Sequence, residues 1–166
     1  TRVDHPSINT DLKEDLEDGF HVIHKRAEAL SRFVSDYAKI AKLPPPRKAV
    51  FSLRHTIESV VGLQDFQGRD ITIEPGGPVE MFGDEGQIEQ LLLNLTKNAI
   101  EANEATQGRT RIHCEEDDRR IWIRVFDEGL GLASTDNLFI PFYSTKPQGS
   151  GIGLTLSQQI AENHEG

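Results

Sequence analysis

At 166 residues, with 36% apolar content, the chain is long enough for one domain with flanking structure and apolar enough for a core. Its balance is acidic, 18 Lys and Arg against 27 Asp and Glu for a net charge of −9, which argues against a nucleic-acid surface and favours solubility. A single cysteine, Cys114, excludes an internal disulfide and fits a reducing compartment, and no run of about 18 apolar residues is present to span a membrane. No signal peptide is visible and Thr1 is not a natural start. A fragment is therefore expected, and membrane attachment through segments outside it stays open.

Residues 1–10 are polar, carry a proline and show no period, so they read as a loose end. Over residues 11–43, Leu12 and Leu16 lead into Phe20, Ile23, Ala27, Leu30, Val34, Tyr37 and Ala41 at alternating spacings of three and four. That is a heptad seam, which needs a partner helix from a second copy or from sequence not present here. Gly19 weakens its first part. His21 and His24 share a face of this helix and read as solvated rather than metal-binding. Leu43-Pro44-Pro45-Pro46 ends the helix and places a boundary, giving residues 1–10, 11–46 and 47–166 as the expected divisions.

After the boundary the pattern predicts a strand over 48–52 and a helix over 53–63, with Ile57, Val60 and Val61 inward. Strands at Ile71–Ile73 and Val79–Met81 flank the turn Pro75-Gly76-Gly77-Pro78. Residues 84–103 then form a helix with two faces. Ile88, Leu91, Leu92, Leu95, Ala99 and Ala102 make an apolar stripe; Asn94, Asn98 and Glu101, at i, i+4 and i+7, stack beside it. Asp84 caps its start, with Gln87 in capping-box position. Residues 109–115 and 119–127 read as a hairpin, a loop with an aromatic patch runs to about Ser150, and a last helix covers 154–163. Helices mixed with mostly antiparallel strands predict an α/β two-layer sandwich of the α+β kind, preceded by the long helix.

Three features carry chemistry. A buried amide row needs partners: either neighbouring backbone and water, or a ligand. Asp127-x-Gly129-x-Gly131 ends a strand, where the carboxylate can accept from an exocyclic amine and the glycines let a flat ligand lie on bare backbone; a tight turn closed by its own Asp is the alternative. Gly149-x-Gly151-x-Gly153 runs into a helix start, an anion site if it is not a plain surface loop, and Lys146 can add charge to a phosphate there. An Asn oxygen is a suitable single ligand for Mg²⁺, which borrows phosphate oxygens and waters for the rest of its shell.

In this order the features resemble the catalytic and ATP-binding domain of bacterial sensor histidine kinases. Asn94-Leu-Thr-Lys-Asn98-Ala-Ile-Glu101-Ala matches the family's N box, Asp127 to Gly131 its G1 box, Phe139 to Phe142 its F box and Gly149 to Leu154 its G2 box. Residues 15–46 resemble the second helix of the dimerisation and phosphotransfer hairpin. The Asn-Ala-x-Glu-Ala ending and the Pro-rich linker look most like the nitrogen-regulation type. The resemblance implies the Bergerat (GHKL) sandwich shared with gyrase, Hsp90 and MutL.

It further implies that Asn98, helped by Asn94, holds Mg²⁺ on the phosphates of ATP and that Asp127 bonds the adenine amino group. Gly129 and Gly131 would shape the base pocket. Residues 133–150 would form a lid, with Phe142, Thr145, Lys146, Gly149, Ser150, Gly151, Gly153 and Leu154 near the nucleotide, and Lys97 and Glu101 close by. A response-regulator receiver domain, homodimerisation through the hairpin helix and a cytoplasmic location, alone or as the cytoplasmic part of an inner-membrane sensor, are the implied context. None of His5, His21, His24, His55 and His113 is followed by an acid, and His164-Glu165 lies at the end of the last helix. The phosphoacceptor histidine is therefore expected outside this chain, and the family's last core strands are expected beyond Gly166. The competing expectation is a nucleotide-responsive regulatory module without phosphotransfer. A gyrase-type hydrolase is disfavoured, because position 94 offers an amide where a water-activating carboxylate is wanted.

Overall fold

The structure is a computed structural model; it describes residues 6–41, 43–76, 79–117, 120–132, 135–144, 146 and 149–166. The chain divides into two units between Lys42 and Leu43.

The first unit is a single helix, α1 (Pro6–Ala41). It starts five residues before the expected Asp11, so residues 6–10 are helix rather than a loose end. The reason is local: proline has no N–H to lose at a first helical position, and its fixed φ suits the entry. Leu12, Leu16, Phe20, Ile23, Leu30 and Val34, six members of the seam, are all exposed. His24 pairs with Glu28 one turn on (3.3 Å), as a solvated face would have it.

The second unit holds β1 (Ala49–Ser52), α2 (Leu53–Val61), β2 (Ile71–Ile73), β3 (Glu80–Gly83), α3 (Glu85–Asn103), β4 (Thr110–Glu116), β5 (Ile121–Phe126) and α4 (Gly153–Asn163), with a short 3-10 turn at Gln64–Phe66. Ser52 caps α2 by accepting from the His55 N–H (3.3 Å). β1 and β3 pair antiparallel; β4 pairs parallel with β2 and antiparallel with β5. The strands either side of the Pro75–Pro78 turn thus go to different sheets. A parallel partner needs a long crossover, and the segment from β2 to β4 contains α3. Gly77 and Pro78 lie outside the described residues.

α3 lies between α2 and α4 and packs on β4 and β5. The core is where they meet: Leu53, Ile57 and Val60 of α2, Ile88, Leu92 and Ala99 of α3, Ile112 of β4, and Leu156 and Ile160 of α4 are buried. Leu95 and Ala102, expected in the α3 stripe, are only half-buried, and Thr96 is buried instead. The result is a two-layer α/β sandwich, with the helices packed against a mixed three-stranded sheet, β2-β4-β5, and a separate two-stranded antiparallel pair, β1-β3.

The capping box at the start of α3 is half made. The Gln87 backbone N–H donates to Asp84 Oδ1 (3.1 Å), but the Gln87 side chain turns away and donates to the Pro44 carbonyl (2.8 Å). The Asp84 N–H donates to His164 Nε2 instead (3.0 Å). The Arg47 backbone N–H, above all, holds the Asp84 carboxyl below its ordinary range; desolvation opposes it, and the Gln87 and Gly86 N–H groups add to it. A lowered folded-state pKa gives stability that is present above the unfolded value of about 3.9 and lost as pH falls through the folded value. Asp84→Ala should cost about 1–2 kcal/mol as a lost cap. Asp84→Asn keeps a capping oxygen, so its deficit in urea unfolding at pH 7 should shrink below about pH 4.

Candidate functional site

α3 carries the amide row on the side that meets α4. Asn94, Asn98 and Glu101 are all half-buried, and Lys97 is exposed. Asn94 is engaged at both ends of its amide: its Nδ2 donates to the Gly153 carbonyl (3.3 Å) and its Oδ1 accepts from Gln90 Nε2 (3.1 Å). One turn on, Asn98 has no hydrogen-bond partner among the described residues, which leaves its oxygen available. Glu101, a turn further, is ion-paired with Lys146 from the loop before α4. Residues 45 positions apart in sequence are thus joined across the mouth of the site.

β5 ends beside the far end of the same helix. Gly129 presses against it so closely that a Cβ there would lie 2.6 Å from the Ala102 carbonyl oxygen. The Gly129 N–H donates to Asp127 Oδ1 (3.0 Å). That turn leaves Asp127 exposed, with Oδ2 unused among the described residues. Gly131 adopts φ +76° in open space. The Asp-x-Gly-x-Gly stretch is thus a self-closed turn, and the second carboxylate oxygen of Asp127 faces outward from it.

Asn103 does work that the sequence reading missed. It is buried; its Nδ2 donates to Thr110 Oγ1 (3.0 Å) and its Oδ1 accepts the Glu128 N–H (2.8 Å). It ties the end of α3 to β4 and to the Asp127 turn. The available signal was its place one step beyond the stripe, in the last turn of the helix, where an amide can bond departing backbone.

At the other edge, Gly151 has φ +68°, and a Cβ on it would lie 2.5 Å from the Phe142 carbonyl carbon. The Phe142 N–H donates to the Gly151 carbonyl (3.0 Å), and Phe142 itself sits at φ +66°. The aromatic segment and the glycine loop are thus one backbone unit. Thr155 Oγ1 donates to the Phe139 carbonyl (3.2 Å) and fastens it to α4. Gly149 and Ser150 are exposed, Gly153 and Leu154 half-buried. Among the described residues no side chain caps the start of α4, so its first N–H groups stay open to an anion. Thr145 lies outside the described residues, as do Ala133, Ser134, Pro147 and Gln148 of the expected lid.

An α/β sandwich with an amide-bearing helix between an Asp-Gly turn and a glycine-opened helix is the GHKL ATPase architecture. The chain belongs to the histidine kinase-, DNA gyrase B-, and HSP90-like ATPase family, whose pattern matches residues 83–166, half of the chain. It is 30% identical over 139 residues to sporulation kinase B of Bacillus subtilis, covering 80% of this chain and 32% of that one. It is 33% identical over 139 residues to the sensory histidine kinase/phosphatase NtrB of Proteus hauseri, covering 74% and 40%. Among solved structures, the histidine kinase AdeS of Acinetobacter baumannii superposes with a TM-score of 0.66 at 26% identity, over 87% of this chain and 72% of that one. The chain spans about a third of the length of sporulation kinase B. Among the described residues no helix is long and apolar enough to cross a membrane.

Proposed function

We propose that this chain is the ATP-binding kinase core of a two-component sensor histidine kinase, of the nitrogen-regulation type. The observation that carries the reading is the convergence on α3 of the Asp127–Gly129 turn, the Gly151–Gly153 start of α4 and Lys146, within a domain of the ATPase family whose similar relatives are sensor kinases. Asp127 Oδ2 would accept from the adenine amino group, and Gly129 and Gly131 would let the base lie on backbone. The open amides of α4, with Gly149, Ser150, Leu154, Lys146 and Thr145, would hold the phosphates. Asn98, with its free oxygen, fits a single Mg²⁺ ligand, with Asn94 behind it; bound there, the ion would neutralise phosphate charge.

Phosphoryl transfer is mostly positioning and charge neutralisation, which these groups supply. The γ-phosphate would pass to a histidine on a hairpin helix outside this sequence, and then to an Asp of a response-regulator receiver domain. α1 would be the second helix of that hairpin and join two copies, in the cytoplasm. Water is a poor acceptor here, because Asn94 cannot act as a base. The exposed seam of α1 also favours a second reading, a nucleotide-responsive module that regulates a partner through that helix. Acid-labile phosphate on a protein joined to its upstream hairpin helix would exclude the second reading.

Calorimetry should show Mg²⁺-dependent ADP and ATP binding. Asn98→Ala should weaken it about tenfold in Mg²⁺, the order of one charge-assisted ligand contact, and flatten the metal dependence. Unchanged binding and metal dependence would remove Asn98 from the site. The chain alone should incorporate no label from γ-labelled ATP; a labelled protein band would refute the placement of the acceptor elsewhere.

A further inference from the structure

α3 and α4 lie side by side in opposite directions, tied at two points. At one point Asn94 holds the Gly153 carbonyl (3.3 Å), and at the other the Asp84 N–H donates to His164 Nε2 (3.0 Å). The His164 ring is fully used. Its Nδ1 meets the Ile160 carbonyl (2.7 Å), which can only accept, while the Asp84 N–H can only donate. These partners assign the neutral ring with its proton on Nδ1. The ring also lies against Gly83, where a Cβ would come within 2.9 Å of its Cδ2. Asp84 in turn receives the Arg47 backbone N–H on Oδ2 (2.7 Å), and Gln87, in the same helical turn, holds the Pro44 carbonyl (2.8 Å). Lys48 and Glu165 pair at 3.6 Å beside this cluster. The segment that follows α1 in sequence is therefore fastened to the first turn of α3, and that turn is fastened to the first residue after α4.

We propose that Asp84 and His164 form a coupling point that carries nucleotide occupancy from the Asn94–Gly153 end of the α3–α4 pair to the Pro44–Arg47 linker. His164 is a positioning residue in this scheme: it acts through Asp84 and touches no reacting group. The inference rests on the nucleotide-site reading above. An α-helix of this length is stiff, so a ligand that moves the start of α4 also moves His164, about 16 Å away along the axis. The Asp84 N–H is the narrow link. It passes that motion to a carboxylate whose other bond is the linker's own backbone.

The test is amide hydrogen exchange at Arg47 and Asp84 on this chain, with and without saturating Mg²⁺ and ADP, beside calorimetric Kd values. In the wild type, nucleotide should change exchange at Arg47 by about fivefold or more. In His164→Ala, exchange at Asp84 should rise about tenfold and the Arg47 response should fall below about twofold, with the Kd within about threefold of wild type. His164→Asn, whose carbonyl can accept the same N–H, should restore at least part of the Arg47 response. A purely structural role would shift exchange in all states alike and leave the nucleotide response in place.

An undiminished response in His164→Ala would overturn the proposal. So would no response in a wild-type chain that binds nucleotide, a result that needs no variant to fold. A wild-type chain that binds no nucleotide would overturn the underlying site reading, and the coupling with it.

Discussion

Asp127→Asn should weaken ADP and ATP binding by about 30- to 150-fold, or about 2–3 kcal/mol, with little change in unfolding by urea. The two consequences separate because the carboxylate has two oxygens with different jobs. Oδ1 accepts the Gly129 N–H at 3.0 Å, and an Asn oxygen can take that over, so the turn survives. Oδ2 is the outward acceptor, and in the variant an NH₂ group stands there. An amine donor of the base would then face a donor. A loss confined to adenine nucleotides, with inorganic triphosphate binding unchanged, would place the defect at the base rather than at the phosphates. Equal affinity in wild type and variant would take Asp127 out of the base pocket.

Gly129→Ala should be the most damaging single-methyl change in the site. Its Cβ would have to sit 2.6 Å from the Ala102 carbonyl oxygen and 2.8 Å from the Ala102 Cβ, and both belong to the last turn of α3, whose backbone cannot yield cheaply. Overpacking of this kind costs about 1–3 kcal/mol. The turn would be pushed off the helix, taking Asp127 with it, and a displacement of about 1 Å can cost on the order of a hundredfold at a site that works by positioning. Gly131→Ala makes the informative comparison. There a Cβ meets open space, but φ is +76°, so the penalty is local backbone strain of about 1–2 kcal/mol. Urea unfolding and nucleotide Kd together should rank Gly129→Ala well below Gly131→Ala in binding. The reverse order would mean that the turn does not bear on α3 in solution.

Much of this was legible in the chain because it rests on period and local chemistry. The stripe of α3, the two-residue alternation of β4 and β5 and the cap at Asp84 need nothing beyond their own neighbourhood, and they stand where the pattern put them, within a few residues. What was illegible depends on partners distant in sequence. Alternation identifies β2 and β3 as strands but is silent on whether they pair with each other, and they do not. The Gln87 side chain was expected on the Asp84 N–H, a place that His164 occupies from 80 residues away. His164 could be read only as half of a His-Glu dipeptide, and Asn103 not at all, since a single buried amide has no period. For the proposed site, the residue types at Asn98, Asp127 and Gly151 suggested the chemistry proposed for them. The Lys146–Glu101 pair and the Asn94–Gly153 bond could not be seen before the chain was folded.

The Asn94 bond bears on how such a domain could change its trade. Turning this site toward hydrolysis would ask for a carboxylate at position 94 to prepare a water. Yet the side chain there holds the Gly153 carbonyl through its N–H₂ group (3.3 Å), and no carboxylate has a proton to offer while ionised. The same substitution that installed a base would set a negative oxygen against a carbonyl at the start of α4, where the proposed phosphate site lies. Gaining a water-activating group and keeping the grip on α4 are therefore opposed at one atom. A drift toward wasteful turnover would need at least two coordinated changes, one at Asn94 and one to re-anchor Gly153.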